Sequence, residues 1–507
     1  MRASIAIPPG TPDDDNRDYL PEAIRGSDIV VNENGNNSRT YPEGLAEFRE
    51  KGEDGLERVW YEYVPSSYDG TQEVPLVVSF HGGLMTGWGQ AVYSSWTLIA
   101  EREGFIVLFP NATERRIWMV ECERKTLDII GKPNPSGFYM HTPPDNPDDN
   151  RDMSFVLSLI ARLGSRYRID RERIYAHGMS MGDIMASQMA RYHGGVFAGQ
   201  AGAAGLTWPE VLFDERGEPN NRTGPLPVWQ SRMEHDSVPL NEEHTAWFVR
   251  RNRDYWKRLN GCESLPAIRI EGENNFAFYS GERADYVFHE AKNRDHGQTF
   301  DDAELVWSRF FSGWRREEAG RLARSASDIS RQGDEFAIAV ACGCDKAYVI
   351  NGLIGLSGSV IKRQKRKYHG LNGEIVVRGE YLLTPATFVS ELFAASFDSA
   401  FDGRSVRMTL KDGRTLQFAE GSIGCVVDGR VMSMHGEAVF TQGQLYVPLR
   451  WIGERLYSLH VSFCDDVLYL TDHDAQLSLH MAKLIRDEIL CDPHLASPTN
   501  AAAEIME

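Results

Sequence analysis

The sequence predicts an α/β fold, with a mostly parallel sheet covered by helices on both faces, followed by a smaller α+β domain of two half-repeats. Continuous apolar runs at 76–80 and 105–110 are typical of buried central strands. Helical patterns alternate with such runs, as in a parallel sheet with helices on both faces. After about residue 335, short β-runs with Asn-Gly or Asp-Gly turns occur twice, each time with one helix.

The length and charge of the chain limit its organisation and its partners. With 507 residues it is too long for one ordinary core. A net charge of −19 argues against a nucleic-acid partner or an anionic membrane surface, because both need basic patches. We expect an irregular arm over 1–55, the parallel-sheet domain over 56–316, a linker over 317–334, the repeat domain over 335–475 and a tail over 476–507.

The cysteines and the N-terminus bear on the cellular location. The seven cysteines are odd in number and scattered, which fits reduced thiols better than a disulfide framework. The first nine residues lack the apolar core of a signal peptide. Both observations predict a cytoplasmic location.

The first half of the parallel-sheet domain is predicted to contain two strands, a helix and a third strand. The strands lie at 59–65, 76–80 and 105–110, and the helix near 96–100 ends at Gly104. A long, proline-rich excursion from 111 to 150 follows, and a loop of this length is usually functional. We expect it to form a lid over the site.

The second half of this domain is predicted to continue the alternation to its end. Its elements, in order, are a helix at 153–167, a strand into 174–179, a strand at 227–233, a helix at 242–259, a strand at 286–290 and an amphipathic helix at 301–314.

One stretch in this alternation indicates a nucleophile. Residues 174–182 read as a strand that ends in the pattern Gly-x-Ser-x-Gly, and a helical pattern follows at once. Such a turn holds a serine in a strained backbone conformation, exposes its hydroxyl above the sheet and needs glycines for close packing. Ser180 is therefore the predicted nucleophile.

An acid and a base follow Ser180 in the chain, each at the end of a predicted strand. A serine at neutral pH needs an adjacent base, which a carboxylate holds in the right tautomer. His296 is the predicted base, ahead of His235 and His289, and Asp236 is the predicted acid, ahead of Glu234.

Backbone donors and neighbouring side chains complete the predicted site. The N–H of Met181 and an N–H from Gly83 or Leu84 are the oxyanion-hole candidates. The substrate-binding candidates are Trp118, His81 and His177, although His177 is also expected to pack against the sheet and His81 to shape the oxyanion loop. We predict no metal site and no cofactor.

The motifs of residues 56–316 resemble the polyhydroxybutyrate depolymerase/feruloyl esterase branch of the α/β-hydrolases. The resemblance implies a carboxylic ester hydrolase with a Ser-His-Asp triad. Asp183 departs from the second glycine that is usual in the family, and we expect it to cap the helix rather than to favour a cationic substrate group; Gly83 departs from the common cysteine. The matching motifs are Val64-Pro65, 75–78, His81-Gly82, 104–110, Trp118, Asp152 with Phe155, 167–175, 178–182, 236–239 and His296-Gly297.

The C-terminal half-repeats resemble the copper amine oxidase N-terminal-like domain, most closely at 444–450 and 451–454. Despite that name, the sequence contains no histidine cluster with metal-ligand spacing, and we predict no copper. The resemblance implies a binding or oligomerisation module, acting in homo-oligomers or in cell-surface contact. Such domains are commonly extracellular or wall-associated, which is the alternative to a cytoplasmic location.

These observations lead to one functional hypothesis and two alternatives. The leading hypothesis is a serine carboxylesterase that acts on a small or oligomeric ester through an acyl-enzyme. The first alternative is a peptidase or amide hydrolase of the same fold. The second is a non-catalytic binding protein on a hydrolase scaffold, with the repeat domain carrying the function.

Overall fold

A computed structural model of the chain describes residues 42–52, 54–135, 139–238, 241–324, 333–369 and 373–495. Most of the expected arm, part of the expected linker and the end of the expected tail lie outside these residues. The chain divides into two compact units. The first takes residues up to 263 and 278–331, and the second takes 264–277 and the residues from 332 onward.

Ten strands precede residue 300, and eight of them form the sheet of the first unit in the order β1-β2-β4-β3-β5-β6-β7-β10. From β4 to β10 every neighbouring pair in this order is parallel. At the other edge, β1 pairs antiparallel with β2, and β2 pairs antiparallel with β4. The ten strands are β1 Leu45–Lys51, β2 Glu57–Tyr63, β3 Val74–Phe80, β4 Ile106–Pro110, β5 Ile169–Met179, β6 Gly199–Ala203, β7 Val228–Met233, β8 Ala267–Glu271, β9 Asn274–Tyr279 and β10 Tyr286–Ala291.

Helices connect the parallel strands of this unit. The side chain of Asn150 starts α4 by accepting the N–H groups of Asp152 and Met153, and Gly104 ends α2 in the left-handed region with φ +79°. The helices are α1 Gly87–Tyr93, α2 Trp96–Glu103, α3 Arg124–Ile130, α4 Arg151–Arg166, α5 Met181–His193, α6 Pro209–Leu212, α7 Glu242–Asn260 and α8 Asp302–Arg309. The strand order and the tight β5–α5 turn confirm the predicted α/β-hydrolase fold.

Several local expectations for this unit are wrong. Strand β1 lies within the expected irregular arm, because it pairs along its whole length with β2. Helix α1 was not expected, and the expected helix at 301–314 ends at Arg309, where the chain turns to bury Phe310 and Phe311. A short hairpin of β11 Trp314–Arg316 and β12 Leu322–Arg324 extends into the first part of the expected linker.

The second unit is rich in short antiparallel strands. Three sheets have the orders β15-β14-β13-β26-β25, β16-β17-β24-β23 and β18-β19-β20-β21-β22. The strands are β13 Ala337–Ala341, β14 Lys346–Val349, β15 Gly352–Gly355, β16 Ile361–His369, β17 Glu374–Pro385, β18 Ser396–Ala400, β19 Ser405–Thr409, β20 Thr415–Ala419, β21 Gly424–Val427, β22 Arg430–Ser433, β23 Val439–Thr441, β24 Gln444–Pro448, β25 His460–Cys464 and β26 Val467–Thr471.

The two halves of this unit correspond as the sequence predicts. Strands β17 and β24 pair antiparallel at Thr384 and Val447, and each leads through a proline into a helix, α9 Ala386–Leu392 or α10 Leu449–Leu456. The second predicted turn lies at Asp428-Gly429, both with positive φ. The first lies at Ile350-Asn351, one residue earlier than the predicted Asn351-Gly352 turn.

Residues 479–490, near the end of the described chain, belong to the core of the second unit. Helix α11 Leu479–Lys483 continues as a π-helical segment over Leu484–Leu490 and buries Ile485 and Ile489. Cys491 forms a disulfide with Cys344 directly after it. This bond corrects the expectation that all the cysteines are reduced thiols, because the fold brings together two residues that are 147 positions apart. Among the described residues, no helix is long and apolar enough to cross a membrane.

Candidate active site

The turn between β5 and α5 places Ser180 in a strained conformation. Its backbone has φ 54° and ψ −121°, and its N–H donates to the carbonyl of Ala203 at 2.8 Å. A Cβ atom added to Gly178 would clash with the carbonyl of Gly182, and one added to Gly182 would clash with the carbonyl of Phe80. The glycines of the Gly-x-Ser-x-Gly pattern are therefore required by backbone packing on both sides of the serine.

A chain of two hydrogen bonds joins Ser180, His296 and Asp236. The Nε2 atom of His296 lies 2.8 Å from Oγ of Ser180, and its Nδ1 atom lies 3.0 Å from Oδ1 of Asp236. The Asp236 carboxylate is buried and also accepts the N–H of Val238 at 3.0 Å. The structure thus brings together the three predicted residues at the carboxyl ends of β5, β7 and β10.

The rival residues occupy other positions. His289 is buried within β10, with its Nδ1 atom 2.9 Å from Oγ of Ser231, and burial lowers the pKa of His289 to about 4. His235 is exposed, and Glu234 accepts the backbone N–H of Asn293 at 2.9 Å. All three therefore lie outside the chain of hydrogen bonds that contains Ser180.

The structure distinguishes between Gly83 and Leu84, the two loop residues that the sequence offered as oxyanion-hole donors. The N–H of Leu84 donates to the carbonyl of Arg116 at 2.9 Å and is occupied. The N–H of Gly83 has no hydrogen-bond partner among the described residues, and a Cβ atom at Gly83 would lie 3.4 Å from Cε of Met181. Met181 is the first residue of α5, where backbone N–H groups lack intrahelical acceptors. The free donors are therefore Gly83 and Met181.

His81 and Trp118 are fully buried and hold the loop that contains Gly83. The Nδ1 atom of His81 lies 2.7 Å from the carbonyl oxygen of Gly82, and its Nε2 atom accepts the N–H of Ala112 at 3.0 Å. The Trp118 indole donates to the carbonyl of His81 at 2.8 Å. Neither side chain has exposed surface that a substrate could touch, so their contacts indicate support of the loop rather than substrate binding.

His177 is also fully buried, below the nucleophile. Its Nε2 atom lies 2.8 Å from Oδ2 of Asp302, and its Nδ1 atom accepts the indole N–H of Trp96 at 3.0 Å. Of the two roles expected for His177, the contacts agree with packing against the sheet and leave no surface for a substrate. Asp302 was not predicted, because nothing in the sequence marks it apart from its place shortly after His296.

Asp183 does not cap helix α5, contrary to expectation. Its carboxylate turns away from the helix and accepts the N–H of Gly205 and the side-chain amide of Gln200, both at 3.1 Å. A Cβ atom at Gly202 would overlap the carboxylate, so the glycine makes the space for it. Burial raises the pKa of Asp183 well above its usual range. Because Asp183 is buried, it is also not available to a cationic substrate group.

The first part of the expected lid over 111–150 is hydrogen-bonded to helix α4. The Asp152 carboxylate accepts the N–H groups of Thr113 at 2.9 Å and Met119 at 2.7 Å. The Arg115 guanidinium stacks over the ring of Tyr139, 3.4 Å from its centroid. The segment contains α3 and lies partly outside the described residues at 136–138.

Two exposed apolar side chains flank the hydrogen-bonded residues. Leu84 follows Gly83 and is 54% exposed, and Val238 follows Asp236 by two positions and is 44% exposed. Leu84 was predicted only as a backbone N–H donor, and Val238 was not predicted as a contact residue. They provide apolar surface beside the candidate oxyanion donors and the candidate acid.

Comparisons with known proteins agree with these motifs. The chain is 23% identical over 268 residues to the bifunctional acetylxylan esterase/xylanase XynS20E of Neocallimastix patriciarum, covering 52% of this chain and 34% of that protein. It is 24% identical over 222 residues to feruloyl esterase B of Piromyces equi, covering 41% of this chain and 37% of that protein. The chain thus spans about a third of the length of these curated relatives.

A solved structure and a family model complete the comparison. The structure of LpqC, poly(3-hydroxybutyrate) depolymerase from Bordetella parapertussis, aligns with a TM-score of 0.36 and 16% identity, over 55% of this chain and 93% of that one. Residues 366–458 match the family model described as the copper amine oxidase N-terminal domain. The names of the two curated relatives and of this family model confirm both resemblances that the sequence indicated.

Proposed function

We propose that this protein is a serine-dependent carboxylic ester hydrolase. The observation that carries the proposal is the chain of hydrogen bonds from Ser180 through His296 to Asp236, with the serine in the strained turn at the end of β5. This is the arrangement in which a base accepts the proton of a serine hydroxyl while a carboxylate orients the base. The esterase names of the relatives support an ester as the bond that is cleaved.

The proposed reaction begins at the Ser180 hydroxyl. His296 Nε2 takes its proton, and Oγ forms a bond to the carbonyl carbon of the ester. The oxygen of the tetrahedral intermediate accepts the N–H groups of Met181 and Gly83, which are fixed before the reaction. His296 then gives the proton to the leaving alcohol as the carbon–oxygen bond breaks, and an acyl-enzyme remains on Ser180.

In the second half of the reaction, water hydrolyses the acyl-enzyme with the help of the same residues. His296 accepts a proton from water as the water attacks the acyl carbon, and returns this proton to Ser180 Oγ as the acid leaves. Asp236 keeps the proton of neutral His296 on Nδ1 and stabilises the imidazolium that forms in each half. The exposed side chains of Leu84, next to Gly83, and Val238, two residues after Asp236, offer apolar surface for the ester.

Hydrolysis of p-nitrophenyl acetate and butyrate, with p-nitroacetanilide as the amide counterpart, tests the proposal. We expect turnover of the esters, weak or no turnover of the anilide, and a fall of at least about a thousandfold in kcat for Ser180→Ala. The control is Ser154→Ala, which removes an exposed serine from α4. Anilide turnover equal to ester turnover would favour the amide-hydrolase alternative, and ester turnover that survives Ser180→Ala would refute the proposal.

The disulfide between Cys344 and Cys491 supports an extracellular or wall-associated location over a cytoplasmic one. Disulfides persist in oxidising compartments, whereas cytosolic thiols are kept reduced in most organisms. We therefore propose that the protein acts outside the cytosol.

A further inference from the structure

The first half of the second unit carries a hairpin that greatly exceeds its counterpart in the second half. Strands β16 and β17 have 9 and 12 residues, whereas β23 and β24 have 3 and 5. The two hairpins correspond, because β17 and β24 pair with each other and each leads through a proline into a helix. The outer part of the β16–β17 hairpin is therefore an extension that the second half does without.

This extension adds nothing to the hydrophobic core. The core takes Val360 and Leu382 at the base of the hairpin, and none of the residues described between them is buried. Lysines on an edge strand often prevent edge-to-edge pairing. Here that reason is insufficient, since the extension itself creates the edge that would need protection.

One face of the extension is strongly basic. Arg363, Lys365 and Lys367 alternate along β16 and share a face at intervals of about 6.6–7 Å, because the register shift after Lys365 places its extra residue, Arg378, in β17 and not in β16. All three are exposed, and no ion pair to them occurs within the described part of the chain. Lys362, on the other face, is paired with Asp466 at 2.6 Å and Glu380 at 2.9 Å. The chain as a whole has a net charge of −19, so this cluster is a strong local exception.

The opposite face of the same extension carries three exposed apolar side chains near its described end, together with Arg366, which stands across from Val377. Tyr368 stands directly across from Ile375, and Val377 lies two residues further along the same face. These side chains are 69%, 49% and 48% exposed. Single exposed apolar residues are ordinary, but three adjacent ones around Arg366, on a ribbon whose other face is basic, indicate a contact surface.

We propose that the β16–β17 hairpin binds the surface of a lipid bilayer that contains anionic phospholipids. Basic side chains are attracted to anionic headgroups, while tyrosine and aliphatic side chains enter the interfacial region. A nucleic acid would use the cations but leave Ile375 and Val377 in water, so the apolar cluster favours the bilayer. The net charge of the whole chain argued against binding to an anionic membrane. At physiological ionic strength, however, charges more than about 8 Å apart are largely screened from one another. The charge of the hairpin itself therefore determines whether it is attracted to the membrane.

Co-sedimentation of the full-length protein with vesicles tests this proposal. We expect binding to phosphatidylcholine vesicles that contain phosphatidylglycerol, weaker binding at higher salt, and little binding to phosphatidylcholine alone. The variant Arg363→Glu/Lys365→Glu/Lys367→Glu should bind roughly a hundredfold more weakly, at about fivefold for each basic residue. Tyr368→Ser/Ile375→Ser should also weaken binding without any change in charge.

The matched control is Arg407→Glu/Lys411→Glu/Arg430→Glu, which makes the same charge change at exposed positions elsewhere in the second unit and should bind like the wild type. Melting temperatures establish that all variants are folded. The proposal is overturned if the wild type ignores the anionic vesicles, if the hairpin variants bind like the wild type, or if the control loses as much binding as they do. Binding to a single-stranded oligonucleotide but not to vesicles would also overturn it. None of these measurements depends on ester hydrolysis.

Discussion

The Nε2 atom of His177 lies 2.8 Å from a carboxylate oxygen of Asp302, and both side chains are buried below Ser180. The Nδ1 atom of this histidine accepts the indole N–H of Trp96, which can only donate, so the proton of neutral His177 is on Nε2 and points at Asp302. His177 lies on the strand that ends at Ser180, and Asp302 begins the helix that follows the His296 loop. The hydrogen bond between His177 and Asp302 therefore connects β5, which carries the nucleophile, to α8, which follows the loop of the base.

Replacing Asp302 with alanine should destabilise the first unit. The buried Nε2–H of His177 would lose its acceptor, which costs about 1–3 kcal/mol in the free energy of unfolding. Urea unfolding of Asp302→Ala beside the wild type measures this loss. Asp128→Ala, which removes an exposed carboxylate from α3, serves as the control and should leave the unfolding free energy unchanged. Equal stability of the Asp302 variant and the control would contradict the supporting role.

Stability should fall in mild acid because His81 is buried as a neutral side chain. Burial lowers the pKa of His81 from its ordinary value of 6.5 to about 4. Between these values the unfolded chain binds more protons than the folded one, so this contribution is complete above about pH 6.5 and is lost as the pH falls towards 4. The urea midpoint as a function of pH measures the effect.

The variant His81→Asn isolates the contribution of this histidine. Its urea midpoint should depend less on pH between about 6.5 and 4 than that of the wild type. The dependence that comes from buried His289, whose pKa is also lowered to about 4, should persist. An unchanged pH dependence would show that His81 does not titrate in this window.

The proposed oxyanion hole can be tested at Gly83 with two substitutions. Gly83→Pro removes the N–H donor and should lower kcat by about 100- to 1000-fold, as loss of one such donor does elsewhere. Gly83→Ala keeps the N–H, and its Cβ atom would meet Cε of Met181 at an ordinary 3.4 Å. We expect the alanine variant to keep kcat within a few-fold of the wild type. Similar kcat values for both variants would place the oxyanion donor elsewhere.

The disulfide should account for much of the stability of the second unit. A bond that closes a loop of 147 residues restricts the unfolded chain strongly, by about 4–5 kcal/mol in the chain-entropy estimate. Cys344→Ser should therefore melt at a lower temperature than the wild type under oxidising conditions. Cys342→Ser, which removes a neighbouring free thiol, is the control. Titration of seven thiols in the denatured, unreduced protein would contradict the bond.

The sequence predicted those parts of the fold that depend on local pattern. An apolar run marks the buried strand at 76–80. Glycines mark the end of α2 at Gly104, where the backbone is left-handed, and the tight turn at Ser180, where the backbone packs closely. The order of Ser180, Asp236 and His296 at strand ends also led to the three residues that the structure brings together. Parallel strands align their carboxyl ends, so the chemistry could be anticipated without contacts.

The sequence did not predict features that depend on distant partners. Strand β1 forms only because β2 offers an edge, and Cys344 meets Cys491 only after the second unit has folded. Asp183 looked like a helix cap, but Gly202 on a neighbouring strand makes a buried space that the local sequence cannot reveal. The burial of Trp118 and His81 likewise depends on how the 111–150 segment packs against the Gly83 loop.

The most direct test of the account is covalent capture of the nucleophile with a fluorophosphonate, followed by mass spectrometric mapping of the site. We expect one label per chain, on Ser180, with none on Ser180→Ala, much slower labelling of His296→Ala and normal labelling of the Ser154→Ala control. This outcome would establish Ser180 as a nucleophile activated by His296. Labelling at another residue, or a labelling rate that is unchanged in His296→Ala, would contradict the account.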